Sequence, residues 1–457
     1  MRLVRIVEKH GMPLVLLLVG IAVGIFLAGH WVPSVSAVSR QDYESLEAFT
    51  NILSIVKKNY VEEVDTKNLV TGAINGMLNG LDPHSAYLTP DLYKELQMDT
   101  QGRFGGLGIE ITVKGGMLTV VSPIEDTPAA KAGIKPGDQI FKIEEEFTKD
   151  MTLVDAVKKM RGPKGTKITI SIKREGVAEL MDFLLMRDTI RVQSVRSRTL
   201  EEGYGYVRLA QFQERSDRDV QRALEKMAAE KGGIKGLVLD LRNNPGGLLT
   251  QAVRVSDLFL DSGLIVYTEG RIESQKQKYS AQKEGSWMDF PVVVLVNGGS
   301  ASASEIVAGA LQDHKRAVVL GTKTFGKGSV QTILPLDDNS ALRLTTARYF
   351  TPNGRSIQAL GIVPDIIVEP APAPAEGKAE EKKRLGLREE NLPGHLPNPQ
   401  QGPSQPQDQG EKDKEKLVPR SAPTGDDTID NDAQLKRALD LLKSWDVFKQ
   451  LVQKKAA

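Results

Sequence analysis

Residues 297–306, NGGSASASEI, set Ser300, Ser302 and Ser304 on alternate positions between a valine-rich strand pattern and a helix pattern. A serine at a strand-to-helix turn is a place where acyl-transfer enzymes hold a nucleophile. It needs a partner to take its proton, and the chain has only five histidines. Four readings of the cluster compete. In the first, Ser302-Ala303-Ser304-Glu305 is a capping box, with Ser302 as N-cap and Glu305 reaching back. In the second, His314 is the base; it lies twelve residues beyond Ser302, at the far end of the same expected helix, and reads as a surface or helix-end residue. In the third, GTKTFGKG (321–328) is a phosphate-binding loop, but its eighth position is Gly328 instead of Ser or Thr, and a strand pattern follows where a helix should. In the fourth, Lys327 is the base. A lysine can act so only when neutral, which requires desolvation. Gly326 and Gly328 let its loop approach another segment, and Gln331 shares its face if 328–331 is extended.

An acyl-transfer site also needs donors for the oxyanion. LVLDLRNNPGGLLTQA places Asn243, Asn244, Pro245, Gly246 and Gly247 between a strand and a helix, where backbone amides are left free. A plain strand-to-helix turn is the bland alternative. Asp240 and Arg242, at the strand end, read as structural supports.

A different chemistry stands upstream. GRFGGLGIEI (102–111) offers consecutive backbone amides ahead of a strand, a nest able to hold a carboxylate beside a strand edge able to pair with a peptide. With PAAKAGIKPGDQI (128–140) and MRGPKGTKITISIKR downstream, the stretch resembles a PDZ domain, in which Gly106, Leu107, Gly108 and Ile109 match the loop that binds a peptide C-terminus. EEEF (144–147) departs from the glycine turn usual there and leaves the geometry of that hairpin open.

These segments must be positioned by the rest of 457 residues, enough for several domains. The net charge of +1 gives no sign of nucleic-acid binding, and the absence of cysteine removes disulfides and thiolate chemistry. No spacing suggests a metal site, and no cofactor is implied. Arg2, Arg5 and Lys9 precede the uncharged apolar run 13–32, long enough to span a bilayer with the remainder exported. It reads either as a retained anchor, which its length favours, or as a signal cleaved after Val35 and Ala37. The organisation expected is a signal-anchor or transmembrane region (1–37), a helical region (38–98), the PDZ domain (99–187), an α/β core in which strands alternate with helices (188–370), a disordered Pro-rich linker (371–430) and a C-terminal helix (431–457).

NGGSASASEIVAGALQD and GTKTFGKGSVQ together resemble the two active-site blocks of the carboxyl-terminal processing peptidases, serine endopeptidases of bacterial envelopes and chloroplast lumens. The resemblance runs from about 41 to 369 and includes DPHSAYLTP, LVLDLRNNPGGLLTQA and RLTTARYFTPNGRSIQALGIVPD, the last expected to shape the substrate channel. It implies a crotonase-like core, Ser302 as nucleophile, Lys327 as general base and Gln331 as the residue that holds the lysine. The 25 positions from Ser302 to Lys327 fit the family and select Ser302 over its neighbours. Gly246 or Gly247, with Ala303, would form the oxyanion hole. The substrates implied are proteins with apolar C-termini, delivered by the PDZ groove in the cell envelope. Arg161, at the end of a PDZ helix, is a candidate for coupling the groove to the active site; a solvated arginine is its equal alternative. An adaptor protein and a homo-oligomer stay open as partners. The other functional class is a non-catalytic PDZ scaffold, against which the intact Ser302, Lys327 and Gln331 argue.

Overall fold

The computed structural model describes residues 40–370, 388–400 and 432–456. The apolar run 13–32 and the cleavage position after it lie outside these residues, and among the described residues no helix is long and apolar enough to cross a membrane. The chain separates into two compact units, Met1–Ile74 and Asn75–Ala457. The described part of the first comprises helix Arg40–Asn59 and most of helix Thr66–Asn79, whose last turn belongs to the second.

Within the second unit, the core is a six-stranded sheet. Its order is Val195–Glu201, Tyr204–Leu209, Gly236–Asp240, Val292–Val296, Ala317–Gly321, Ile366–Ile367. Only the first pair is antiparallel. Gly236–Asp240 and Val292–Val296 are buried at every position, which is why both are apolar apart from Asp240 at the end of the first. Leu237, Leu239 and Val294 pack on one face with helices Ser216–Ala229, Leu249–Asp257 and Ala303–Asp313. Val238, Val293 and Leu295 pack on the other with Leu435, Ala438, Leu439 and Leu442 of the C-terminal helix Ala433–Ala456. That i, i+3, i+4, i+7 set is an apolar stripe on one helix face. Arg242 ties the start of this helix to the sheet. It bonds buried Asp240 through Nε and Nη2, and Asp432 and Gln434 beyond.

An antiparallel sheet stands beside this core. Its long strand Ala341–Phe350 pairs with Ser329–Pro335, with Ala86–Leu88, and with Leu264–Gly270. Through the first pairing the strand following Lys327 is held in a hairpin. The PDZ-like module is a separate sheet, Ile109–Lys114, Met117–Pro123, Gln139–Ile143, Lys167–Lys173 and Met181–Met186, around its own isoleucine-rich core. Helix Leu153–Met160 leans on it, capped by Thr152 and Asp155. In the EEEF hairpin Glu144 takes the left-handed conformation a glycine would favour, at φ 54°, and its carboxylate accepts the Thr169 N–H at 3.1 Å.

The expectation that 371–430 is all disordered is corrected for 388–400. There Glu389 and Asn398 are buried, Asn398 donates to the Gln358 carbonyl at 2.7 Å, and Gln400 donates to Gly354. The composition argument weighs apolar burial, whereas this segment is fixed largely by polar side chains meeting core backbone. Residues 371–387 and 401–431 lie outside the described residues.

Candidate active site

Three adjacent parallel strands, Gly236–Asp240, Val292–Val296 and Ala317–Gly321, end side by side, and the loops leaving their carboxyl ends carry Gly246, Ser302 and Lys327. Ligand sites in α/β sheets form outside the carboxyl ends of the strands, because there the loops converge and the following helices begin.

The three serines have different fates. Ser300 is fully buried, its hydroxyl donating to the Leu241 carbonyl at 2.8 Å and accepting from Asn297 N–H. Ser304 is fully buried and donates to the Asn244 carbonyl at 2.9 Å. Ser302 alone is partly exposed, at φ 56° and ψ −114°. Such backbone costs on the order of 1–3 kcal/mol for a residue other than glycine and persists only where its surroundings enforce it. The capping reading proves half right. Glu305 reaches back to the Ser302 N–H at 2.8 Å, but the Glu305 N–H is taken by the Ser302 carbonyl, so the Ser302 hydroxyl is not the cap.

Glu305 does more than cap. Wholly buried, it accepts from Thr324 Oγ1 (2.5 Å), Gly326 N (2.7 Å) and Lys327 N (2.9 Å) as well as from Ser302 N. The Ser302 and Lys327 amides share one carboxylate oxygen, Oε2, so the two nitrogens are no farther apart than bonds of 2.8 Å and 2.9 Å laid end to end. Burial pushes this carboxyl up to about 7 against the pull of its four donors. Lys327 is half-buried; desolvation lowers its amine to about 8, the Arg343 charge pushes the same way, and Glu389, Glu305 and Asp82 pull back. Its loop runs hard against 358–361, where a Cβ on Gly328 would stand 2.4 Å from Gln358 N. Tyr349, buried, donates its hydroxyl to the Lys327 carbonyl and lies beside the Ser302 side chain.

Gly246 lies directly over the serine turn, since a Cβ there would be 2.9 Å from Ser302 Cβ and 3.0 Å from Ala303 N. Its own N–H is taken by the Asn244 side chain at 2.9 Å. The N–H of Gly247 has no acceptor among the described residues, and that of Ala303, first residue of its helix, has none within the helix. Asn244 braces the arrangement: its carbonyl accepts from Ala301 N and Ser304 Oγ, and its side-chain amide donates to Leu209 O. Gln331 is on the strand after Lys327, as its spacing suggests, but its amide donates to Ser329 and Thr345, and no hydrogen bond joins it to Lys327 among the described residues. His314 caps the helix end and bonds the Leu264 carbonyl. The segment 321–328 leads into a strand, as the argument against a phosphate loop requires.

In the PDZ-like module, Gly106, Leu107, Gly108 and Ile109 line a groove with Phe104, Ile111 and helix Leu153–Met160. Leu107 and Gly108 N–H groups have no acceptor among the described residues. Gly108 is at φ 77° with Thr127 against it, so this loop needs glycine. Arg161 lines the same groove, its guanidinium 4.6 Å above the Phe104 ring and its Nε buried without a partner among the described residues.

Family models match along the chain: the CtpB N-terminal domain over 29–91, a PDZ domain over 95–173 and peptidase family S41 over 203–368. The carboxy-terminal-processing protease of Bartonella bacilliformis is 47% identical over 83% of this chain and 87% of its own. The chain belongs to the carboxy-terminal processing proteases. It is a serine-type endopeptidase with a PDZ domain. A Bacillus subtilis relative, carboxy-terminal processing protease CtpA, is 39% identical over 69% of this chain and 67% of its own. The solved photosystem II D1 C-terminal processing protease is 32% identical, covering 70% of this chain and 92% of that one, at a TM-score of 0.41.

Sequence reasoning about this protease passed over several residues at the site. Glu305 was visible as a cap but not as the clamp on the lysine loop, since its partners at 324–327 are distant in sequence. Asp82, inside DPHSAYLTP, accepts from Ser85 and Thr345; burial raises its carboxyl, yet these bonds hold it below the usual range. Nothing in the spacing of Tyr349 marks it as a neighbour of Ser302.

Proposed function

We propose that this protease cleaves protein substrates through Ser302 as nucleophile and Lys327 as general base. The observation that carries the reading is the shared carboxylate. One buried Glu305 oxygen gathers the backbone of a strained, partly exposed serine and of a desolvated lysine into one spot. Ser302 Oγ attacks the peptide carbonyl while Lys327 Nζ takes its proton and later delivers it to the leaving amine. Water then hydrolyses the acyl-enzyme by the same route in reverse. The amides of Gly247 and Ala303 supply the oxyanion donors, the latter backed by the helix N-terminus. Gly246 serves as the glycine that permits close approach, because its amide is engaged by Asn244. Gln331 is assigned to the strand wall beside the lysine.

The groove at 106–109 would hold a free C-terminus, its carboxylate on the Leu107 and Gly108 amides and its last side chain among apolar residues. Arg161, stacked on Phe104 at this groove, is the assigned link between occupancy and activity. We further assign the core to the crotonase-like folds, supported by its parallel sheet, and the protein to the cell envelope, supported by the basic residues before the apolar run 13–32. An adaptor and self-association remain compatible with these assignments.

The test incubates residues 38–457 with an unfolded reporter protein bearing an apolar C-terminus and follows intact masses. Wild type and Ser304→Ala should cleave; Ser302→Ala and Lys327→Ala should not. Cleavage by Lys327→Ala at the wild-type rate would remove the lysine from the mechanism.

A further inference from the structure

The loop bearing Lys327 is held from two sides. On one side stands Glu305, from the serine's own helix. On the other stands Glu389, from the strap 388–400, which follows the core and lies outside the segment matched to the peptidase family. Glu389 is wholly buried. Its backbone N–H donates to the Phe325 carbonyl at 3.2 Å, two residues before the lysine. Its carboxylate accepts from Gln358 Nε2 at 2.9 Å, while Gln358 Oε1 accepts the N–H of Gly328, the residue after the lysine, at 2.9 Å. The other ring of contacts is His84 Nε2, at 2.8 Å and 3.0 Å from the two carboxylate oxygens. Thus one buried glutamate bears on both flanks of Lys327, through its backbone N–H before the lysine and through Gln358 after it.

A carboxylate hidden from water is costly unless its environment wants the charge. Here burial raises the Glu389 carboxyl, but the His84 hydrogen bond, Gln358 and the Lys327 charge outweigh it and hold it below the ordinary range. Four charged groups act on the Lys327 amine from four elements: Arg343 on the long strand, Glu389 on the strap, Glu305 on the serine helix and Asp82 on the segment before Ala86–Leu88. Two of the three carboxylates have structural duties at the serine turn or the strand; Glu389 belongs to no element of the core.

We propose that Glu389 is a positioning residue for Lys327: the strap places it against the core, and it both fixes the loop carrying the base and supplies that base with a counter-charge. The proposal rests on Lys327 being the general base. It follows that the matched peptidase segment is not a self-sufficient catalytic unit. The strap also becomes a handle through which anything that moves it would change the pH range of cleavage.

The test uses the full chain and compares wild type, Glu389→Gln, Glu389→Asp and Lys327→Ala, all checked by thermal melting. The kcat/KM for the reporter protein is measured against pH. In parallel, the pH dependence of Lys327 acetylation by acetic anhydride is read by mass spectrometry, which reports the amine whether or not the variant cleaves. Removing a negative charge favours the neutral amine, so Glu389→Gln should move both the acid limb and the labelling midpoint to lower pH by about half a unit or more. Glu389→Asp, keeping the charge, should leave the midpoint near that of wild type. If Lys327→Ala is inactive and the Glu389→Gln midpoint stays in place, whether activity falls evenly or not at all, the proposal is overturned and the Ser-Lys reading survives. If Lys327→Ala cleaves like wild type, both fall together.

Discussion

Gly246→Ala isolates the role of the loop that covers the serine. The added methyl would meet Ala301 O at 2.8 Å, Ser302 Cβ at 2.9 Å and Ala303 N at 3.0 Å, two of them backbone atoms in the turn that carries the nucleophile. Comfortable carbon contacts lie at about 3.5–4.0 Å, so one of the two loops must retreat by roughly 0.5–1 Å. The position is also at φ 103°, which adds strain of about 1–2 kcal/mol for any L side chain. A misplacement of about 1 Å at a reacting centre can cost on the order of 100-fold in rate, equivalent to roughly 2.7 kcal/mol of barrier. The expected result is therefore a fall of about 100-fold in kcat/KM for the reporter protein, with a folded protein by circular dichroism. Gly233→Ala is the control. It bears the same kind of backbone strain at φ 60° but has nothing within 4 Å of the added methyl, so it should lose stability without losing turnover. If Gly246→Ala kept kcat/KM within about threefold of wild type, the reasoning that this loop and the serine turn form one rigid site would be wrong.

Three further outcomes are expected. With the Lys327 amine lowered to about 8, kcat/KM should climb about tenfold per pH unit below pH 8 and level off above it; Arg343→Gln, removing a like charge, should shift this limb upward, and a limb that moves down would contradict the assignment. Tyr349→Phe removes the hydroxyl that holds the Lys327 carbonyl beside Ser302, and should lower kcat by about tenfold more than KM changes; equal loss in unfolding midpoint and no kinetic effect would mark it as packing alone. Leu439→Ala, in the helix that covers the outer face of the sheet, should cost about 2–5 kcal/mol in denaturant unfolding while leaving kcat/KM of the folded fraction unchanged, because it touches no active-site loop.

What the sequence made legible was local. The strands 236–240, 292–296 and 317–321 are largely apolar, the helices after them are amphipathic, and the PDZ-like glycines sit where backbone must turn or approach a ligand. These signals depend on neighbours a few residues apart. The same is true of Ser302, whose place at a strand-to-helix turn is visible without any tertiary knowledge. The C-terminal helix declares its stripe of Leu435, Ala438, Leu439 and Leu442, although not the sheet face it covers.

The strap shows where such reading stops. Its Pro, Gln and Glu content argues against a core of its own; its order comes from the neighbouring core, which offers Gln358, His84 and the Phe325 carbonyl to a single buried glutamate. The role of Gln331 comes from the family resemblance; strand periodicity specifies its face but not the partner that face meets.

The sequence by itself therefore determined the chemistry available, namely a serine with free helix-terminal amides nearby, a lysine between glycines and a carboxylate-binding loop. Only the tertiary structure decided which of three serines is exposed, which glycine amide is free, and which buried carboxylates surround the lysine. Those choices depend on burial and on hydrogen bonds between residues far apart in the chain, and a proton's affinity for an amine is set by every charge that folding brings near it.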